Sequence, residues 1–235
     1  MKIPRKAGVA LAALVATLAL PHLYAQHGHL NVGAVGKNQN DALSPVNGPD
    51  FAASSGYVKA LTYGTSGRYA GYYQGGITFT ALPTFDAVQN LTIAGPAPGS
   101  FIKAAIVSVD GPAGSHFLYW PGEQNTSSTP LLSLASGYRG ISVSWDVSDA
   151  SAGAGSSGGD AFGHLHGNRF GVDQVGDYTV GFRFFDASVN GVDGGRIHAP
   201  SDVLLIRFQG TPEPSIWALA ALGAGILAWR LRSRG

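Results

Sequence analysis

Alternation with period two is the feature that most limits what this chain can become. In Ile141-Ser142-Val143-Ser144-Trp145 every second residue is apolar, and Tyr178-Thr179-Val180-Gly181-Phe182-Arg183-Phe184 repeats the pattern over a longer run. Successive side chains of an extended strand point to opposite faces, so each run has one apolar face to bury. Further strands are predicted at Tyr57–Tyr63, Gly76–Thr80, Phe101–Val109, His116–Trp120, Gly140–Trp145, Asp177–Phe185 and Asp202–Phe208. The chain holds 34 glycines in 235 residues, and Gly, Pro, Asn and Asp between the runs supply the turns. No segment between the two ends has the repeat of a long amphipathic helix. The expected fold is all-β, an antiparallel β-sandwich or jelly-roll-like domain. Two stretches read as loops: residues 148–159, almost wholly Ser, Ala, Gly and Asp, and residues 187–200, with the turn formers Asn190-Gly191 and Asp193-Gly194-Gly195.

The ends have a different composition. Lys2, Arg5 and Lys6 precede an apolar run from Val9 to Leu20, which Pro21 interrupts. This is the layout of a secretory signal, with cleavage expected after Ala25. The run is short for a bilayer core of ~30 Å. At the other end Pro212-Glu213-Pro214 leads into an apolar run from Ile216 to Trp229, followed by Arg230, Arg232 and Arg234. Proline motif, apolar segment and basic end resemble a sorting tail of the PEP-CTERM kind over residues 212–235. The resemblance implies a C-terminal membrane helix in the inner membrane, with its arginines on the cytoplasmic side, and processing by an exosortase-type enzyme. The chain then divides into a signal peptide (1–25), a β-domain (26–210) and a sorting and anchor segment (211–235).

With three basic residues at each end and Glu213 set aside, the β-domain carries nine Lys/Arg against thirteen Asp/Glu, a net charge of about −4. That balance argues against a nucleic-acid partner, which needs a basic surface. There is no cysteine, which excludes thiolate metal sites and cysteine nucleophiles, and no disulfide can help the core.

Histidine is the residue type with chemical promise. Four of the six histidines after the signal peptide fall in two pairs, His27-Gly28-His29 and His164-Leu165-His166. Residues i and i+2 of a strand share a face, so each pair can offer two imidazoles to one ion. Neutral imidazole suits zinc and other borderline divalent metals. Together the pairs make a four-nitrogen set of the size tetrahedral zinc takes. His27, His29, His164 and His166 are therefore the candidate ligands, with His116, His198 and Asp160 in reserve. A site shared by both pairs requires the N-terminal segment to pair beside the strand holding His164 and His166.

The flanking residues add a second resemblance. His164-Leu165-His166-Gly167-Asn168-Arg169-Phe170, followed by Gly176-Asp177-Tyr178, resembles the His-x-His-x-Asn-x-x-Phe and Gly-x-Tyr segment of surface-anchored bacterial proteins that accompany metal-uptake transporters. Arg169 stands where that segment usually has Trp. Gly28-His29-Leu30-Asn31-Val32-Gly33 is similar to the Gly-His-x-x-x-Gly opening of the same group. With the sorting tail, these motifs resemble PEP-CTERM proteins repressed by the zinc-uptake regulator. The resemblance implies zinc acquisition or storage at the cell envelope, with a metal transporter as partner and no enzymatic activity.

Other functions leave weaker marks. A structural, adhesive or carbohydrate-binding matrix protein would use Tyr57, Tyr63, Tyr69, Tyr72 and Tyr73 to stack on sugars. A copper-dependent polysaccharide oxygenase would need His27 as the mature N-terminus, and Gln26 stands in the way. Gly155-Ser156-Ser157-Gly158-Gly159 fits a hydrolase motif formally but lies in the low-complexity loop, without strand–turn–helix context. Asp186, Asn190 and Asp193 are oxygen donors for calcium, at spacings unlike an EF-hand.

Overall fold

The longest alternating run becomes the longest strand. Gly176–Asp186 forms β13, whose Tyr178, Val180, Phe182 and Phe184 point inward and are buried while Asp177 and Arg183 are exposed. It belongs to a computed structural model that describes residues 29–81, 85–86, 91–92, 95–122, 126–147, 167–212, 229–230 and 233. Within them β13 lies near one edge of a nine-stranded sheet. From edge to edge the sheet runs β10 (Leu132–Ala135), β9 (His116–Trp120), β12 (Arg169–Val172), β4 (Tyr73–Gly75), β3 (Val58–Tyr63), β14 (Leu204–Gly210), β13, β8 (Ile102–Asp110) and β11 (Trp145–Asp146). A smaller sheet orders β2 (Leu43–Pro45), β1 (His29–Ala34) and β5 (Thr78–Ala81). β6 (Phe85–Asp86) and β7 (Leu91–Thr92) form a separate pair.

All-β is therefore the observed class among the described residues, and the helical pieces there are single turns such as Gly48–Phe51. Purely antiparallel pairing is corrected. β14 joins β3 in parallel and β1 joins β5 in parallel, while the other paired strands are antiparallel. Parallel neighbours cannot be joined by a tight hairpin. β3 and β14 lie at opposite ends of the β-domain sequence, and the chain reaches one from the other through most of the large sheet.

The expected strand at Gly140–Trp145 is also corrected: only Trp145–Asp146 pairs as a strand with β8. Upstream, the Ser142 hydroxyl oxygen accepts the Ile106 N–H at 3.0 Å, a role a backbone carbonyl would fill in a regular ladder. The ladder breaks there, and Ile141 and Val143 end up 72% and 65% exposed although Trp145 is buried. Sequence alternation alone did not say which way this edge would turn.

Aromatic rings fill the space between the small sheet and the large one. Phe79 of β5 meets Phe182 at 5.3 Å, Phe184 at 5.5 Å and Phe170 at 5.6 Å between ring centroids. Tyr119 stacks on Trp145 at 4.3 Å. Offset and edge-on contacts of this kind add to the roughly 1.5–3 kcal/mol that burial of each large side chain contributes. On the far side of the sheet Gly171 is required: a Cβ there would stand 2.8 Å from both the Trp120 ring and the Tyr73 carbonyl oxygen. Among the described residues no helix is long and apolar enough to cross a membrane. The expected signal peptide and most of the expected C-terminal helix lie outside those residues.

Candidate metal site

His29 opens β1, and two polar side chains fix its surroundings. The Asn47 amide nitrogen donates to the His29 carbonyl at 2.9 Å, and its oxygen accepts the Asn31 N–H at 2.8 Å. Asn47 thus completes the backbone pairing where the short β2 has already ended. Across the parallel ladder His29 lies in register with Thr78, and Asn31 with Thr80. The Thr80 hydroxyl stands 3.5 Å from His29 Nδ1, a distance at which it orients the ring weakly. Thr78 and Thr80 are themselves buried.

The residues just after the second pair are fixed by a different network. Asn168 is buried at the entry to β12, and its side-chain oxygen accepts the Tyr119 hydroxyl and the Gly122 N–H, both at 3.0 Å. Burial, reinforced by the Asp146 carboxylate, drives the Tyr119 hydroxyl far above the usual tyrosine range, so it stays a neutral donor to Asn168. The backbone here passes close to Gly76, where a Cβ would meet the Asn168 carbonyl oxygen at 3.3 Å and Arg169 Nη1 at 3.4 Å.

Gly76 and Thr78 are two residues apart on the segment that leads into β5. One of them touches the entry to β12 and the other is the partner of His29. The starts of β1 and β12 therefore converge on one end of β5. His27, His164 and His166 lie outside the described residues, as does Asp160.

The two remaining histidines are committed elsewhere. His198 is fully buried; its Nε2 accepts the Ala97 N–H at 2.8 Å and its Nδ1 donates to the Asp41 carbonyl at 2.9 Å. That network assigns a neutral ring with both nitrogens used, and no lone pair is left for a metal. His198 drops out as a reserve ligand. His116 Nδ1 pairs with Asp173 Oδ2 at 2.8 Å, and Asp173 Oδ1 accepts the His116 backbone N–H at the same distance. Among the described residues no group of three or more His, Cys, Asp or Glu is gathered for a metal, so His116 has no ligand set around it there.

Asp186 is engaged by backbone donors and is not open to calcium. Its Oδ1 accepts the N–H groups of Phe101 and Ser188, both at 2.9 Å, and its Oδ2 those of Ile197 at 2.9 Å and His198 at 3.1 Å. Four donors directed at one carboxylate leave no face for a cation. The side chain pins the 187–200 loop to β13 and to the segment before β8. Asn190 contributes by donating to the Gly99 carbonyl at 2.7 Å.

The tyrosines are largely engaged in packing. Tyr69 and Tyr72 meet the buried Trp120 edge-on, Tyr57 packs on Phe51, and Tyr63 on Tyr73. Sequence reasoning missed Asn47 and Thr80, because single polar residues carry no period, and read Asp186 only as an oxygen donor for calcium. The one available signal was Asn168, which the resemblance includes in its motif. Comparison with protein-family models, curated proteins and solved structures yields no match.

Proposed function

We propose that this chain is an exported cell-envelope protein of the PEP-CTERM kind that captures a divalent metal, zinc in the first instance, through His27, His29, His164 and His166. The signal peptide delivers it. The C-terminal segment tethers it to the inner membrane until an exosortase-type enzyme processes it. Capture is reversible, with no bond-making chemistry, and serves zinc acquisition or storage, with a metal transporter as recipient. We further propose that the small sheet covers the large one as the second layer of a sandwich, since the rings of Phe79 and Phe182 meet between them.

The observation that supports the shared site is the convergence at Gly76 and Thr78. His29 pairs with Thr78, and Asn168, two residues beyond His166, packs against Gly76. An ion held by both pairs would join the starts of β1 and β12. His198 has both ring nitrogens engaged and is not among the proposed ligands.

Elemental analysis of the purified full chain tests this. About one zinc per chain is expected, the ratio for a single four-ligand site. Changing His29 to Ala, or His164 and His166 together to Ala, should each abolish tight binding. Two ions per chain, each lost with only one pair, would replace the shared site by two separate ones. No metal in any form after incubation with excess zinc would overturn the reading in favour of a matrix role. Affinity should also fall as pH drops through ~6.5, where imidazole protonates. A flat profile from pH 8 to 5 would rule histidine out as the ligand.

A further inference from the structure

The face of the large sheet that points away from the aromatic core has its own recess. Ala105 and Val107 of β8 and Phe185 of β13 form its floor, and Ile141 and Pro200 its sides, around a cavity of about 230 Å³. Its origin lies in two irregularities. The ladder between β8 and β13 shifts register at Gly181/Phe182, where Ser108 and Ile106 are successive partners and Val107 is the extra residue. The broken pairing at Ser142 turns Ile141 outward beside it.

Three charged residues border this recess: Asp186, Arg183 and Arg196. Asp186 keeps its charge, but both its oxygens are taken up by four backbone donors. Arg183 spends its Nε on the Ser201 carbonyl at 2.9 Å. Among the described residues neither arginine pairs with a carboxylate. Three neighbouring cations, Lys103, Arg139 and Arg207, do pair with an aspartate, Asp146, Asp110 and Asp177. In a domain of net negative charge, two cations that pair with no carboxylate among the described residues border the same apolar recess.

We propose that this recess binds a free acyl carboxylate, with the chain on Val107, Ile141 and Phe185 and the acid group held by Arg183 and Arg196. Guanidinium groups match a carboxylate in charge and in fork geometry, and charge-assisted hydrogen bonds are the strong ones. A sugar is a poorer fit. Its hydroxyls need acceptors as well as donors, and the one carboxylate in the lining is already saturated. The recess is small, which favours a short chain over a two-chain lipid. The proposal is independent of the metal reading.

The test is photolabelling of the full chain in zwitterionic nanodiscs with a diazirine analogue of decanoate, mapped by mass spectrometry. Label is expected on the peptides carrying Val107, Ile141 and Phe185. Unlabelled decanoate should compete, and decanol should compete at least about tenfold less well, since it lacks the charge the arginines recognise. Changing Arg183 and Arg196 together to Gln should remove the label from these peptides, while Arg196→Lys retains part of it. Circular dichroism of the variants checks that the fold is intact. Equal competition by decanol, or equal labelling of the double Gln variant, would overturn the proposal. So would label confined to the C-terminal segment. Binding of the face to anionic vesicles without groove labelling by decanoate would make it a lipid-surface contact and overturn the proposal too.

Discussion

The aromatic layer around Phe170 and the polar knot around Asp186 hold the same domain together by opposite means. Phe170 is fully buried and meets Phe79, Phe182 and Tyr119 at 5.4–5.6 Å between centroids. No single contact there is directional, and the stabilisation grows with apolar area removed from water. Asp186 is also buried, but everything it contributes runs through four hydrogen bonds of defined geometry. The layer joins Phe79 of the small sheet to rings of the large one, whereas the knot sets the path of the 187–200 loop. A core of hydrocarbon tolerates a change of partner; a buried carboxylate tolerates only donors.

The largest effect should come from the layer. Phe170→Ala removes a ring with neighbours on nearly every side, and a loss of about 3–5 kcal/mol is expected from lost burial plus the cavity left behind. Urea denaturation of the full chain measures it. A loss below about 2 kcal/mol would mean that the rings close over the gap, and the layer would be less close-packed than interiors usually are. Asp186→Asn comes next, at about 2–3 kcal/mol, because an amide offers one acceptor oxygen where two were used and turns an N–H₂ toward backbone donors.

The same substitution gives the knot a pH signature that the layer lacks. Burial raises the Asp186 pKa, but the N–H donors of Phe101, Ser188 and His198 lower it more, and the net direction is down. A carboxyl whose folded pKa is depressed contributes stability above its unfolded value of ~3.9 and loses it as pH falls through the folded value. The stability gap between the native protein and Asp186→Asn should thus be complete at neutral pH and close progressively below about pH 4. For Phe170→Ala the gap should not depend on pH. If both gaps close together, the acid transition belongs to other carboxylates.

Legibility in the sequence followed the same division. β13 was visible because one side of it is covered and the other is largely not, so Val180, Phe182 and Phe184 alternate with Thr179 and Arg183. β1 escaped because it lies between two neighbours with both faces covered, and Leu30, Asn31 and Val32 are all buried. A strand without a wet face has no period to read. At Ile141 and Val143 the period was present but the ladder that would have buried them was interrupted by a serine hydroxyl. Of the candidate ligands, His29 was visible as half of a pair. Its supports Asn47 and Thr80 were not, because each is one polar residue brought close by chain reversal.

His198 tests whether directional bonding also governs at a ring beside the knot. His198→Phe keeps an aromatic ring of similar breadth but leaves the Ala97 N–H and the Asp41 carbonyl without their buried partner. A loss of about 1–3 kcal/mol is expected, the cost of leaving the Ala97 N–H unsatisfied, since the Asp41 carbonyl still accepts the Ala199 N–H. Metal content should be unchanged, since both ring nitrogens are already engaged. A neutral or stabilising result would show that ring packing matters at this site and its hydrogen bonds do not.

The smallest effect belongs to a charge pair outside both regions. Arg139 Nη2 lies 2.6 Å from Asp110 Oδ1, closer than any donor to Asp186, yet both side chains are more than half exposed. Water screens such a pair, and ordering two flexible side chains offsets most of the attraction. Asp110→Asn should cost less than about 1 kcal/mol, and the cost should shrink further in 1 M salt, where the screening length is about 3 Å. Asp110 is the better partner to change because Arg139 also donates to the Tyr138 carbonyl at 2.8 Å. A loss as large as that of Asp186→Asn would mean that distance, and not removal from water, sets the worth of a carboxylate here, and the contrast between the knot and the surface would fail.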